Sequence, residues 1–230
     1  MAIELIVFDL GSTLFEYENM PLSWVDYYES AFKFVNERLN CNASFEQIDR
    51  AVAVMKMFNP RINPREIDFE PEFIFEKAFE GWGIEDLNKA IELFFDSFNL
   101  NARIYDDSIS SLKALKKSGC TIAALTDVPS GMPDEYFKKY ISQLLLHFDD
   151  YISSCSSGYR KPNPYGIDFL RAKYGLANDE ILFIGDEDKD LETAKQANCY
   201  FIRMDRKGSK PNSISDLSQI VELIQKEREC

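Results

Sequence analysis

Histidine is almost missing from this 230-residue chain, with His147 the only one. That leaves no basis for a His-based catalytic triad or a His-rich metal site. Cysteine is sparse too: Cys41, Cys120, Cys155, Cys199 and Cys230 are scattered, odd in number and without a CxxC pair. Such a pattern fits reduced thiols, and neither a zinc site nor a disulfide framework. Basic residues are short against 39 acidic ones, giving a net charge of −13. Nucleic acid and anionic membranes are held by clustered cations, so neither is an expected partner. No long apolar run opens the chain. Its first, Ile3 to Phe8, is interrupted by Glu4 and ended by Asp9, too short for a membrane span or a signal segment. A cytoplasmic protein acting on a small molecule is expected, as a monomer or homodimer.

What is present points to an ordered core. Apolar residues make up 45% of the chain, including 18 Phe and 11 Tyr, and the length allows a core that carries a smaller inserted domain. Four short segments rich in β-branched and other apolar residues end at a polar or glycine-bearing turn: Ile3 to Phe8, Thr121 to Leu125, Ile181 to Ile184 and Tyr200 to Ile202. They read as buried parallel strands, with Tyr151 to Ser154 a weaker fifth. Helical patterns lie between them at Ser108 to Lys117, Asp134 to Leu146, Tyr165 to Tyr174 and Asp190 to Ala197. Gly119, Gly175 and Asn198 stand as C-terminal stops. A last helix is expected over Ser213 to Lys226. Strands alternating with helices predict an α/β fold with a doubly wound parallel sheet.

More than a hundred residues separate the first two strands, far too many for one crossover, so a domain is inserted there. From about Leu22 to Leu100 the patterns are helical, with aromatic residues at three and four spacing in Trp24 to Val35, Phe73 to Phe79 and Leu93 to Phe98. The expected division is a core of residues 1–16 and 101–230 and an all-helical cap of residues 17–100. Within the cap, Asn59 to Arg65 contains Pro60 and Pro64, which cannot continue a helix interior. The stripes Tyr27, Tyr28, Phe32 and Phe73, Phe75, Phe79 read as cap core.

In open parallel sheets ligands lie beyond the carboxyl ends of the strands. The groups found there are Asp9-Leu10-Gly11-Ser12-Thr13, Thr126-Asp127, Lys161-Pro162 and Gly185-Asp186-Glu187-Asp188-Lys189-Asp190. Together they hold a carboxylate nucleophile, hydroxyls, a cation and a second set of carboxylates. That is what phosphoryl transfer through a carboxylate and a magnesium ion requires.

This ordered set resembles the four motifs of the haloacid dehalogenase superfamily, and the helical insert resembles its first type of cap. The resemblance covers nearly the whole chain and implies a Rossmann-like core and an Mg2+-dependent phosphatase acting on a small phosphorylated metabolite. Asp9 would attack phosphorus and carry an aspartyl-phosphate, while Thr126 and Lys161 stabilise the transferred group. Ser12, Thr13 and Asp127 would contact substrate. Asp9, the carbonyl of Gly11 and Asp186 would bind the metal, and Asp190 would either join them through water or hold the Lys161 ammonium. Glu187 and Asp188 read as solvated loop charges or helix N-terminal stabilisers. The cap loop would present Arg61 and Arg65 to an anionic or hydroxylated substrate, or else leave them as plain surface arginines.

The pattern departs from the superfamily's phosphatases at Gly11, where they usually carry a second aspartate as general acid and base. Glycine moves no proton, so a contribution of about 10²-fold to 10⁴-fold must come from elsewhere or be lost. Substrates with good leaving groups, another acid among Glu16, Glu18 and Asp127, or a non-catalytic relative that binds magnesium and phosphate would each fit. A phosphonate hydrolase using Lys33, Lys56 or Lys77 of the cap is a further alternative. Dehalogenation fits least, because Asp186 and Asp190 suit a metal that the dehalogenases do not use.

Overall fold

The computed structural model describes residues 3–229. Strand β1 (Leu5–Phe8) is wholly buried, as a central parallel strand covered on both faces must be. Its alternation sorts the two faces: Ile6 and Phe8 join one apolar cluster, Leu5 and Val7 the other. After a tight turn comes β2 (Phe15–Tyr17), and then helices α1 (Tyr28–Leu39), α2 (Phe45–Met57), α3 (Pro71–Ala78) and α4 (Leu87–Asp96). The chain returns through β3 (Ala102–Ile104), which pairs antiparallel with β2. This hairpin was not expected. Each strand has three residues, and the partners lie too far apart in sequence for a turn signal to join them.

The rest of the chain alternates as expected: α5 (Ser108–Lys117), β4 (Thr121–Thr126), α6 (Asp134–Tyr140), α7 (Ser142–Leu145), β5 (Asp150–Ser153), α8 (Ser154–Ser157), α9 (Tyr165–Tyr174), β6 (Ile181–Gly185), α10 (Asp188–Ala197), β7 (Tyr200–Met204), β8 (Ser213–Ile214) and α11 (Ser218–Glu229). The sheet order is β5-β4-β1-β6-β7-β8 with every pairing parallel. Strand order therefore reverses at β1, between β4 and β6, where a crevice opens at the carboxyl ends. Leu112, Leu115, Ile220 and Ile224 of α5 and α11 fill one face, and Ile167, Leu170, Ala194 and Ala197 of α9 and α10 the other.

Two helix boundaries differ from expectation. Asp134 to Leu146 is not one helix: Ile141, fully buried with φ −109° and ψ 13°, ends α6, and its carbonyl starts the next turn by accepting from Leu144 and Leu145. Ser213 and Ile214 are not helical, because the sheet edge takes up their backbone and Asp205 N–H donates to Ile214 O at 2.8 Å. Gly175 and Asn198 do stop α9 and α10 in the left-handed conformation, as read.

The α1–α4 unit is built on aromatic contacts, among them Phe32–Phe94 at 4.8 Å and Phe75–Phe94 at 5.0 Å between ring centres. Tyr28, Phe32, Phe75 and Phe79 are buried there, whereas Tyr27 and Phe73 are partly exposed. This apolar cluster runs on without a break into Leu10, Leu14, Phe15 and Phe137 beneath the sheet's carboxyl edge. Cys41, Cys120, Cys155 and Cys199 are free thiols of which only Cys120 is buried, and Cys230 lies outside the described residues.

Candidate active site

Four strand ends and the residues that follow them meet in one crevice. Asp9 closes β1, its N–H still bonded across the sheet to Ile184 O at 2.8 Å. Lys161 arrives from the loop before α9 and places its ammonium 2.5 Å from Asp9 Oδ1 and 2.6 Å from Asp190 Oδ1, all three side chains nearly or fully buried. Asp190 sits in the first turn of α10, where Oδ2 accepts from Glu187 N–H at 2.9 Å. Gly185 makes this approach possible: a Cβ there would fall 2.5 Å from Asp190 Oδ2.

Asp9, Asp186 and Asp190 each bring a carboxylate oxygen within 4.8 Å of the others. Burial pushes the Asp9 carboxyl up to about 6, Lys161 opposing and Asp190 adding to the rise. Asp186, whose carboxylate makes no ion pair among the described residues, is pushed by burial and by Asp9 and Asp190 up to about 8, Lys161 opposing. Burial disfavours the Lys161 ammonium, but Asp190 and Asp9 outweigh it and hold the charge in place. Carboxylates this close and this short of positive charge form an oxygen donor set suited to a hard divalent cation.

Asp9, Gly11, Ser12, Thr126, Asp127, Lys161, Asp186, Arg61 and Arg65 all line one cavity of about 1560 Å³ between the strand ends and the helical insert. Not every expected site residue reaches the cavity: Asp190 is fully buried behind Lys161 and does not line it. Thr13 does not reach it: the side chain is fully buried and its hydroxyl donates to Asp9 Oδ2 at 3.4 Å, so it orients the aspartate and touches no substrate. Arg61 and Arg65 reach the cavity already engaged. Arg61 meets Glu187 at 2.7 Å, and Arg65 donates to the carbonyls of Phe58 and Ile67, to Asp68 and to Ser130. Both tie the insert to the core and neither stands free for a ligand.

The three carboxylates considered as substitutes for an acid at position 11 are unsuited to it. Burial would raise the Asp127 carboxyl, yet Lys189 at 3.1 Å, Arg160 and Lys161 hold it below the usual carboxylate range. Glu16 likewise overcomes its burial by bonding Arg103 and Tyr105, and Glu18 meets Arg103 at 2.7 Å. Glu187 is not a solvated loop charge: Lys189 and Arg61 counter its burial and bring it down to about 2. Lys33, Lys56 and Lys77 are exposed and none lines the cavity, which removes the geometric basis for an imine-forming lysine.

Sequence reasoning passed over the residues that organise this ring. Arg160 is buried and donates to Asp68 at 2.7 Å and to Val128 O at 3.0 Å. Lys189 bridges Asp127 and Glu187. Arg160 and Lys189 each precede a recognised motif residue, a faint signal. Asp68 comes from the insert and carries none.

This fold, with Asp9 at the end of the strand where the order reverses, is a parallel α/β core carrying a helical insert. The chain belongs to the haloacid dehalogenase-like hydrolases, whose family model matches residues 3–198. It is 25% identical over 206 residues to the phosphoglycolate phosphatase of Vibrio cholerae, covering 86% of this chain and 83% of that one. A second similarity, 29% over 107 residues, is to the phosphoglycolate phosphatase of Aliivibrio fischeri, and there the chain spans only 46% of the relative's length. In fold it superposes on the 2-haloacid dehalogenase of Pseudomonas syringae pv. Tomato with a TM-score of 0.68 at 18% identity, over 98% of this chain and 99% of that one.

Proposed function

We propose that the protein is a phosphomonoester hydrolase that uses Mg2+ and passes the phosphoryl group through Asp9. The observation that carries this reading is the placement of the Asp9 carboxylate: buried at the end of β1, gripped by Lys161 at 2.5 Å, and within 4.8 Å of two further carboxylates. Asp9, Asp186 and the Gly11 carbonyl would hold the cation, which supplies the charge that lets an anionic carboxylate approach an anionic phosphate. Asp190, with both oxygens occupied by Lys161 and Glu187 N–H, acts on the site chiefly by fixing that lysine.

In the first step an Asp9 oxygen forms a bond to phosphorus as the bond to the leaving oxygen breaks. In the second, water attacks phosphorus, inorganic phosphate departs and the carboxylate is restored. Lys161 and the Thr126 hydroxyl stabilise the charge on the transferred group, and Thr13 orients the nucleophile. The insert of residues 17–100 acts as the cap that excludes water, tied down through Arg61 and Arg65. With Gly11 at the acid position, and Glu16, Glu18 and Asp127 held by cations, the leaving oxygen gains no proton from those three carboxyls. Substrates whose leaving groups need little protonation, such as acyl phosphates, are therefore favoured.

The relatives' names make 2-phosphoglycolate the first alkyl ester to try. Phosphate release would be measured from it, from acetyl phosphate and from p-nitrophenyl phosphate, with and without Mg2+ and with Asp9→Asn as blank. Mg2+-dependent release that vanishes in the variant supports the reading. Release from no substrate above the blank would leave a binding protein on a hydrolase fold.

A further inference from the structure

The connection between β7 and β8 carries a basic run, Arg206-Lys207-Gly208-Ser209-Lys210, in a chain of net charge −13. Its shape is fixed from within. The Asp205 carboxylate accepts from the backbone N–H groups of Lys207 at 3.2 Å, Ser209 at 2.5 Å and Lys210 at 2.6 Å, while Gly208 turns the chain at φ +63°. Lys207 and Lys210 both line the cavity that contains Asp9.

Among the described residues, every lysine and arginine lining that cavity has a carboxylate partner except these two. Arg206, in the same turn, is spent on Asp107 and the Thr13 carbonyl. Lys210 makes only a contact of 3.3 Å from its ammonium to the Asp186 carbonyl, which leaves it without a carboxylate partner. The cavity, about 1560 Å³, also exceeds the ~300–1,000 Å³ common for small-ligand sites, so it has room for a group beyond the phosphate.

Resting on the phosphatase reading, we infer that Lys207 and Lys210 form a subsite for a second anionic group on the leaving portion of the substrate, making the substrate a phosphomonoester that also carries a carboxylate or a further phosphate. In a protein whose overall field repels anions, two ammonium groups without carboxylate partners, carried at the rim by a loop whose backbone Asp205 holds, draw such a substrate in. They act on binding and selection and leave the chemical step to Asp9.

The test is calorimetric binding to the Asp9→Asn protein in Mg2+, comparing 3-phosphoglycerate with sn-glycerol 3-phosphate, which differ mainly in carboxylate against hydroxymethyl. The carboxylate ligand is expected to bind about tenfold tighter, as two charge-assisted contacts would provide. Lys207→Ala with Lys210→Ala brings the ratio to within about twofold, and Lys207→Arg with Lys210→Arg keeps most of it. A ratio near one in the starting protein, a ratio that survives the alanine pair, or equal loss for both ligands overturns the subsite. Turnover of p-nitrophenyl phosphate by protein with Asp9 intact reports on the phosphatase reading separately: no turnover with the binding ratio retained removes that reading and leaves Lys207 and Lys210 as an anion subsite for a bound ligand that is not hydrolysed.

Discussion

Lys161 and Asp9, 152 positions apart in sequence, meet ammonium to carboxylate at 2.5 Å in a space closed to solvent. Removing either partner breaks the site in a different way. Lys161→Ala leaves Asp9 and Asp190 facing each other unneutralised, and a loss of about 3–5 kcal/mol is expected in urea unfolding without Mg2+. Asp9→Asn keeps the shape and lowers the charge, so stability changes by about 1 kcal/mol or less while phosphate release falls by ~10³-fold or more. Equal stability losses in the two variants would contradict this account.

The carboxylate cluster predicts an opposite pair of effects at Asp186, which has no paired cation and is raised by burial and its neighbours. Asp186→Asn relieves repulsion and should leave the metal-free protein as stable as the parent or more so. Millimolar Mg2+ is expected to raise the melting temperature of the parent by an amount set by free cation relative to its dissociation constant, and Asp186→Asn should cancel that rise. Thermal unfolding with EDTA and with Mg2+ reads both effects.

At Gly11 the surroundings leave space: a Cβ would meet no atom within 4 Å, and the backbone needs no left-handed conformation. Gly11→Asp should therefore fold with stability within about 0.5 kcal/mol of the parent. Its new carboxyl supplies a proton donor near the leaving oxygen. Hydrolysis of alkyl phosphates should rise about tenfold or more relative to acetyl phosphate, within the range general acid catalysis contributes. An unchanged ratio would show that protonation at this position does not limit the reaction.

Arg61–Glu187 and Asp68–Arg160 both join insert to core, yet they differ in surroundings. The first pair has side-chain exposures of 41% and 24%, the second 6% and 4%. Arg61→Ala should cost below about 1 kcal/mol, as exposed pairs do. Asp68→Ala removes the nearest carboxylate from the buried Arg160 and from Arg65, leaving Arg160 only the more distant Asp127, and should cost about 3 kcal/mol, with its chemical-denaturation midpoint the measure. If the insert must move for turnover, Arg61→Ala also changes KM and kcat together.

Much of the scaffold was legible because buried parallel strands must be continuous apolar runs. β1, β4, β6 and β7 announce themselves in that way, and the first polar residue after each run marks where chemistry can sit. Asp9, Thr126 and Asp186 stand out for that reason, whereas Lys161 and Asp190 are picked out only by the order of the motifs. The β2–β3 hairpin and the two-residue β8 were not, since strands so short carry no period of their own.

The sequence by itself determined the parallel core and the helical insert, which follow from local pattern, and placed Asp9 and Gly11 in the turn after the first strand. Tertiary structure alone decided which charges were already spoken for. Thr13 turned inward to Asp9, Arg61 was taken by Glu187 of the core and Arg65 by Asp68 of its own insert and Ser130 of the core, Asp127 was enclosed by cations, and Lys207 and Lys210 were left without a carboxylate partner at the rim. Pairing depends on distance and burial between residues far apart in the chain, and those quantities exist only once the chain has folded.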